Sequence, residues 1–387
     1  MRRSFAIIAL ALATWAFARA AATQRIVVIG DSTVCNYAES KYPWTGWGQE
    51  LEHFFRTGTV TVVNSALGGR SSRSFVQLGQ WAPVLSALGR GDILLIQFGH
   101  NDRDYSKTER YADTATYRQY LVQYIDESRA KGAHPVLVTP MNMNTWNGSA
   151  VREVFCEGAN DYRAAMIRVG KAMRVPVLDL EKKSKALMDS AGATYMGRFQ
   201  FLGLDAGEYP NYPDGSNDGT HFQEMGSLAN ARMVVEEIER QASDSVLKLM
   251  APLLAPRYPV TVKSTVSGDT ITRSTMLPAG ATMTAKVKSA RGKVFSHWLK
   301  DGVKAGTDKR LVFVQDTLPH SLLAVYQGVV VGTQARGASP TPRARPTPRG
   351  LRIEGPSPLG TVTISDLQGR FLLVRETAGV SIDIERE

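Results

Sequence analysis

The chain has 387 residues, of which 43% are hydrophobic, enough for one large core with appended modules. Its formal net charge is +10, but residues 251–387 supply +9 of this and residues 23–250 sum to −2. These values exclude a chain disordered throughout. They also argue against a nucleic-acid enzyme, whose basic charge would surround its active cleft. A basic C-terminal region favours either attraction to an anionic polymer or cell surface, or simply a solvated charged face.

The first 22 residues have the pattern of an export signal. Arg2 and Arg3 precede an apolar run from Phe5 to Phe17, and Ala18-Arg19-Ala20 offers small residues for cleavage. The apolar run is short for a membrane-spanning helix. We therefore predict a signal peptide at residues 1–22 and a protein that is secreted or held at a bacterial cell surface. The cysteines are Cys35 and Cys156, and the sequence leaves open whether they form a disulfide or stay separate thiols.

Residues 23–250 alternate between short apolar runs and helix-like stretches. The runs are apolar throughout rather than alternating, which is typical of parallel strands covered on both faces. We predict an α/β fold, namely a three-layer α/β/α domain around a parallel sheet. The predicted strands are Ile26–Ile29, Val60–Val63, Asp92–Phe98, Pro135–Thr139 and Val175–Leu180. The predicted helices are Trp44–Phe55, Arg73–Leu88, Thr116–Lys131, Asn160–Met173 and Gln223–Leu249.

The composition changes after the prolines between Pro252 and Pro259. Residues 257–330 are rich in Thr and Val with Gly-Asp and Asp-Gly turns, which predicts a small all-β module. Residues 331–349 form a linker rich in Pro and Arg, and residues 350–387 have the pattern of short strands joined by turns. From this boundary we expect the chain cut after Met250 to fold and to keep its catalytic rate on a small substrate.

Ser32 stands at the end of the first predicted strand, where Gly30-Asp31 breaks the apolar run. The carboxyl ends of parallel strands are where ligands bind, so Ser32 is a candidate nucleophile, although Gly-Asp-Ser is also a common turn. Such a serine needs a base, and His221 has Asp218 three residues before it. A carboxylate at this spacing would hold Nδ1 and leave Nε2 for Ser32. The sequence is equally compatible with Asp218 as a residue that only forms a turn or caps a helix.

The donors for an oxyanion are sought in two further loops. Gly69, in Gly68-Gly69-Arg70, offers a backbone N–H without a Cβ in the way, and Asn101 offers a side-chain amide at the end of the third strand. Glycine also makes turns, and asparagine also caps strands. Four such segments ending at one sheet edge are nevertheless hard to explain by turns alone.

Together, the segments Gly-Asp-Ser-Thr, Gly-Gly-Arg-Ser-Ser, Gly-His-Asn-Asp and Asp-Gly-Thr-His-Phe resemble the four blocks of the SGNH (GDSL-like) hydrolases. The variant over residues 25–240 resembles the rhamnogalacturonan acetylesterase group, carbohydrate esterase family twelve. This resemblance implies a catalytic triad of Ser32, Asp218 and His221 and an oxyanion hole from Ser32, Gly69 and Asn101. It also implies an esterase that deacetylates pectic chains and sometimes xylan. We expect this enzyme to need no metal or cofactor, because the histidines are scattered and no Cys/His/carboxylate cluster has metal-ligand spacing.

Alternatives remain at this point. A lipase or thioesterase of the same superfamily would act on other acyl esters, and a non-catalytic carbohydrate-binding protein would use the same fold. Trp44, Trp47 and Arg70 lie near the blocks and are candidate substrate-binding residues, as are Tyr42 and Arg73, but they could equally pack the helix after the first strand.

The predicted partner is an acetylated polysaccharide substrate, and we expect a monomer. The tail around Thr361–Arg370 resembles the sorting domain of type IX secretion, which implies contact with secretion machinery or the cell surface.

Overall fold

The computed structural model describes residues 23–266, 269–287 and 293–333, and the backbone of five further strands between residues 343 and 385. The predicted signal peptide, residues 1–22, lies outside the described residues. So do residues 267–268, residues 288–292 and much of the predicted linker and tail. None of the helices described is both long and apolar enough to cross a membrane.

Residues 23–253 contain ten strands and eight helices. The strands are β1 Gln24–Gly30, β2 Trp44–Thr45, β3 Val60–Asn64, β4 Ile93–Gln97, β5 His134–Val138, β6 Trp146–Asn147, β7 Ala150–Val151, β8 Val177–Leu178, β9 Phe201–Leu204 and β10 Ser216–Gln223. The helices are α1 Trp47–Glu50, α2 Ser72–Gln77, α3 Trp81–Ala87, α4 Thr114–Ala130, α5 Tyr162–Met173, α6 Leu180–Ala191, α7 Ala193–Tyr195 and α8 Glu224–Arg240. Single helical turns follow at Leu51–Phe54, Met196–Gln200, Leu247–Leu249 and Ala251–Leu253.

The central sheet is parallel, with strand order β3-β1-β4-β5-β8. Side chains alternate between its two faces, so neighbouring residues of one strand enter different cores. Ile26 and Val28 pack with α1, α6 and α8, whereas Val27 and Ile29 pack with α3, α4 and α5. This is the predicted three-layer α/β/α fold, and its five parallel strands lie where the apolar runs predicted them.

Two predicted helices differ from the structure, and one observed helix was not predicted. The predicted helix Trp44–Phe55 begins with the short strand β2, because Trp44 and Thr45 pair with Gln223 and Phe222 of β10. The predicted helix Arg73–Leu88 is broken into α2 and α3 by Gly79, whose φ of +75° a helix interior does not adopt. Helix α6 was not predicted, and Asp179 caps its first turn.

A β-rich region follows the α/β layers, as predicted. Its strands are β11 Arg257–Val266, β12 Asp269–Pro278, β13 Thr282–Lys286, β14 Lys293–Lys300, β15 Val303–Gly306, β16 Arg310–Val314 and β17 His320–Thr333. The last strands are β18 Arg343–Thr347, β19 Gly350–Glu354, β20 Gly360–Asp366, β21 Phe371–Thr377 and β22 Ser381–Glu385. Strands β12-β11-β17-β14-β15 form one sheet, and β13 pairs with β16. Strand β18, in the predicted linker, pairs with β19, the first strand of the predicted tail.

The β-rich region shares a hydrophobic core with the α/β layers. Val260, Met283 and Trp298 belong to the same buried cluster as Ile26 and the inner face of α8. The two regions therefore pack as one body across the boundary predicted at Pro252–Pro259, although the domain limits themselves stay a prediction.

Glu50 makes the stability of this core depend on pH. It lies in α1 with its side chain 11% exposed, 3.7 Å from Nε2 of His53. Burial, and then the charge of Glu224, raise the pKa of Glu50 from 4.5 to about 8. Between these values the unfolded chain has lost the proton that the folded chain keeps, so the free energy of unfolding falls as pH rises.

We therefore expect Glu50→Gln to raise the free energy of unfolding at pH 8 by roughly 1–3 kcal/mol and to flatten its fall between pH 5 and 8. Urea unfolding at both pH values checks this, with Glu109→Gln at an exposed carboxylate as the control. A Glu50→Gln protein with the wild-type pH dependence would show that Glu50 is ionised in the fold.

Candidate active site

The turn that presents Ser32 depends on Gly30 and Asp31. A Cβ on Gly30 would lie 2.6 Å from the carbonyl oxygen of Gln97, so only glycine lets β1 end this close to β4. Asp31 Oδ1 accepts hydrogen bonds from the backbone N–H and the hydroxyl of Thr33, at 2.9 and 2.7 Å. These bonds fold the chain back at the carboxyl edge of the sheet and leave Ser32 at that edge.

Ser32, His221 and Asp218 form one hydrogen-bonded chain. His221 Nε2 lies 2.9 Å from Ser32 Oγ, and His221 Nδ1 lies 2.6 Å from Asp218 Oδ2. Burial alone would raise the pKa of Asp218. The hydrogen bond and charge of His221, together with two backbone N–H groups, outweigh burial and lower this pKa to about 2. Asp218 is therefore ionised at neutral pH and fixes the imidazole with Nε2 facing the serine.

The backbone around His221 is an irregular strand, whereas the sequence suggested a loop. Asp218 of β10 pairs with Leu202 of β9, and Phe222 of β10 pairs with the neighbouring residue of β9, Phe201. The three residues of β10 between Asp218 and Phe222 therefore have no partner on β9. The backbone N–H groups of Thr220 and His221 instead donate to Asp218 Oδ1, at 2.7 and 3.1 Å. Such a bulge turns a side chain out of the regular alternation of a strand, here toward Ser32.

His100 pairs with a different carboxylate. Its Nδ1 lies 3.3 Å from Asp31 Oδ2, and its ring packs edge-on against Phe155. Burial raises the pKa of Asp31, but the charge and hydrogen bond of His100 outweigh this and lower it. Sequence spacing had shown no carboxylate near His100, because this partner lies 69 residues earlier in the chain. Among the six histidines, the structure thus brings His221 to Ser32.

Gly69 and Asn101 have donors available in loops near Ser32: a Cβ on the adjacent Gly68 would lie 3.7 Å from Ser32 Cβ. Gly69 has φ +73°, a left-handed conformation that favours glycine. Asn101 Nδ2 donates one hydrogen to the carbonyl of Arg70 at 2.8 Å and keeps a second. Within the described chain, the backbone N–H groups of Ser32 and Gly69 donate to no acceptor. Three donors are therefore free to meet an oxyanion at this edge.

Asp102 supports the Gly69 loop, a role that the sequence did not reveal. It is fully buried and accepts hydrogen bonds from the backbone N–H and the hydroxyl of Ser72, at 3.0 and 2.5 Å. Burial raises its pKa to about 7 despite these bonds. Ser71, the residue before Ser72, is the N-cap of α2, and it exchanges side-chain to backbone hydrogen bonds with Ser74. The turn after Gly69 is thus tied to the loop that carries Asn101.

The predicted substrate-binding residues have different fates. Trp47 is fully buried and donates its indole N–H to Gln97 Oε1 at 2.6 Å, so the prediction that it contacts substrate is wrong. Trp44 packs on His221 with ring centroids 4.3 Å apart. Arg70 is half-buried, and among the residues described its guanidinium forms neither a hydrogen bond nor an ion pair.

Two further residues suggested for sugar binding are engaged elsewhere. The Tyr42 hydroxyl donates to Glu224, and Arg73 donates to the carbonyl of Thr108. Cys35 and Cys156 are separate thiols, which settles the question that the sequence left open.

Glu153, Cys156 and Glu181 bring their ligand atoms within 4.8 Å of one another, which sequence spacing did not predict. Arg163 already supplies positive charge there, with Nε 3.2 Å from Glu181 Oε2. Burial raises the pKa of the Cys156 thiol to about 12, which disfavours the thiolate that a metal needs. This cluster therefore gives little support for a metal site.

A serine hydrogen-bonded to a histidine–aspartate pair, with oxyanion donors beside it, defines a serine hydrolase. The GDSL-like Lipase/Acylhydrolase family matches residues 28–229, just over half of the chain, and the chain belongs to this family. It is an ester-hydrolysing enzyme with the SGNH fold. The family match ends before the β-rich region.

Within this family, the chain is similar to proteins named as rhamnogalacturonan acetylesterases. The chain is 39% identical over 215 residues to rhamnogalacturonan acetylesterase RhgT of Bacillus subtilis, covering 56% of this chain and 89% of that protein. It is 35% identical over 233 residues to the probable rhamnogalacturonan acetylesterase YesY of the same organism, covering 58% and 97%. The solved structure of YXIM from Bacillus subtilis is 30% identical with a TM-score of 0.47, and the match covers 57% of each chain. The chain is thus homologous to rhamnogalacturonan acetylesterases.

We expect Asn101→Ala to lower kcat on a small aryl acetate by about 10²–10³-fold with KM little changed, because the lost amide would stabilise charge that develops only in the transition state. Steady-state kinetics check this. A rise in KM at unchanged kcat would show that Asn101 binds the substrate and does not stabilise the oxyanion.

Proposed function

We propose that this enzyme removes acetyl groups from acetylated rhamnogalacturonan through an acetyl-Ser32 intermediate. The observation that carries the proposal is the hydrogen-bonded chain from Asp218 through His221 to Ser32. The names of the homologous esterases support the substrate class.

Acylation follows from this geometry. Ser32 Oγ attacks the acetyl carbonyl while its proton moves to His221 Nε2, and Asp218 stabilises the imidazolium that forms. The carbonyl oxygen gains negative charge, which the backbone N–H groups of Ser32 and Gly69 and the amide of Asn101 stabilise. The tetrahedral intermediate then expels the sugar oxygen, which takes the proton from His221 and leaves as a hydroxyl group.

Deacylation repeats the same steps with water. His221 takes a proton from a water molecule that attacks the acetyl carbonyl of Ser32. The second tetrahedral intermediate breaks the bond to Oγ, acetate leaves, and the proton returns to Ser32. No metal or redox group is needed for either half of the reaction.

Arg70 supports an anionic sugar chain as substrate. Its backbone carbonyl accepts from Asn101, so it lies next to the oxyanion donors, and its guanidinium has no partner among the described residues. Rhamnogalacturonan contains galacturonate, whose carboxylate matches the paired donors of a guanidinium. Trp44, packed on His221, gives the same mouth an aromatic wall for a sugar ring.

Export belongs to the proposal. Residues 1–22 would direct the protein out of the cell, where pectic polymers occur, and the C-terminal residues 350–387 would hold it at the secretion machinery or the cell surface. Monomeric action on the polymer completes this proposal.

The test of function is acetate release. Wild-type protein should release acetate from acetylated rhamnogalacturonan, and faster than from acetylated xylan or a long-chain aryl ester. EDTA should leave the rate unchanged, and Ser32→Ala should lose nearly all of it. Preference for the long-chain ester would support the lipase alternative, and full activity of Ser32→Ala would refute the triad.

We expect Arg70→Gln to raise KM for acetylated rhamnogalacturonan about 10-fold while leaving hydrolysis of a neutral aryl acetate unchanged, because one charge-assisted contact is lost. Arg73→Gln is the matched control, since its guanidinium already donates to Thr108. Equal effects of Arg70→Gln on both substrates would show that Arg70 shapes the oxyanion loop instead.

A further inference from the structure

We propose that Thr284 and Lys286, on β13 of the β-rich region, are positioning residues that hold His221 in line with Ser32. The inference rests on the proposed function. It assigns a catalytic contribution to a region beyond residue 229, where the family match ends.

Lys286 fixes the chain just after the histidine. It is 4% exposed, and its ammonium lies 2.6 Å from Glu208 Oε1 and donates to the side-chain oxygen of Gln223. Gln223 follows His221 by two residues and also donates to the carbonyl of Phe201 on β9. Lys286 thus fixes the end of the irregular strand that turns His221 toward Ser32.

Thr284 supports the segment whose Trp44 packs on the histidine. Its hydroxyl lies 2.7 Å from the hydroxyl of Tyr42, which donates to Glu224 Oε2 at 2.8 Å. Two residues after Tyr42, Trp44 packs on the imidazole of His221, and the backbone of Trp44 pairs with Gln223. The hydroxyl of Thr284 therefore ties β13 to Tyr42, which in turn connects the segment of Trp44 with Glu224 at the start of α8.

Both sets of contacts come from strand β13, and both support the position of the His221 side chain. Thr284 and Lys286 are two residues apart on β13, so they share a face, and that face is buried against the α/β layers. Because buried polar contacts require well-defined geometry, they fix position more strictly than apolar packing does. Small displacements of His221 would lengthen its hydrogen bond to Ser32 and slow proton transfer.

This inference changes what we expect of the chain cut after Met250. That protein lacks β13, so the Lys286–Glu208 ion pair and the hydrogen bond between Thr284 and Tyr42 are both lost. We now expect the shortened chain to hydrolyse even a small ester more slowly than the full chain, in contrast to the expectation from sequence alone.

Thr284→Val is the sharpest test, since valine keeps the volume and removes the hydroxyl. We expect kcat on a small aryl acetate, per active site titrated with a serine-reactive phosphonate, to fall about 10-fold with KM within two-fold of wild type. Thr284→Ser, which keeps the hydroxyl, should restore kcat. Thr282→Val is the matched control on the same strand, because no hydrogen bond of its hydroxyl is found among the described residues.

Lys286→Met should lower both kcat and the melting temperature, because it removes the buried ion pair with Glu208 and the donor to Gln223. The double variant Lys286→Met/Glu208→Gln should recover melting temperature but not kcat, since Gln223 still lacks its donor. Lys304→Met, at an exposed lysine of the same region, should change neither.

The outcomes separate the two proposals. If wild-type protein fails to hydrolyse the ester, the proposed function is refuted and this inference with it. If wild type is active and both Thr284→Val and Lys286→Met/Glu208→Gln keep wild-type kcat per titrated site, only the positioning role is refuted. If these variants have fewer titratable active sites but an unchanged kcat per site, Thr284 and Lys286 have a purely structural role, and the positioning role is also refuted.

Discussion

The hydrogen bond between Ser32 Oγ and His221 Nε2 joins residues 189 positions apart, and much of the structure serves to place these two atoms 2.9 Å apart. The serine side is rigid because β1 ends in the buried parallel sheet, where Gly30 packs against Gln97. The histidine side is harder to build, since β10 lies outside that sheet and is irregular. Its position depends on local bonds from Asp218 and on packing from both sides.

Those supports come from three parts of the chain. Asp218 accepts hydrogen bonds from the backbone of the bulge in β10. Strands β9 and β2 pair with β10 on its two sides, and Lys286 of β13 contacts Gln223 at its end. The side that we propose to hold the oxyanion is built differently, since Asp102 and Asn101 in one loop hold the loop of Gly69 by direct hydrogen bonds. One catalytic edge is thus assembled from a parallel sheet, a small antiparallel sheet and a β-rich region, which share a buried core.

The sequence predicted the parts of the fold that depend on local pattern. Continuous apolar runs predicted β1, β4 and β5, because these strands are buried on both faces of the parallel sheet. It could not predict β2 or β10, since their strand character comes from partners far away in the chain. The position of Trp47 near Ser32 in the sequence is compatible with substrate contact or with packing, and the structure shows that it is fully buried. For the same reason the Asp31–His100 pair, Asp102 with Ser72, and the contacts of Lys286 were found only in three dimensions.

The central claim is that Ser32 is a nucleophile activated by His221. The most direct measurement treats wild type and His221→Ala with a serine-reactive aryl phosphonate and maps the adduct by peptide mass spectrometry. The account predicts a single stoichiometric adduct on Ser32 in wild type, formed in step with loss of esterase activity, and almost none in His221→Ala. An inactivated protein with the adduct on another residue, or equally fast labelling of Ser32 without His221, would contradict it.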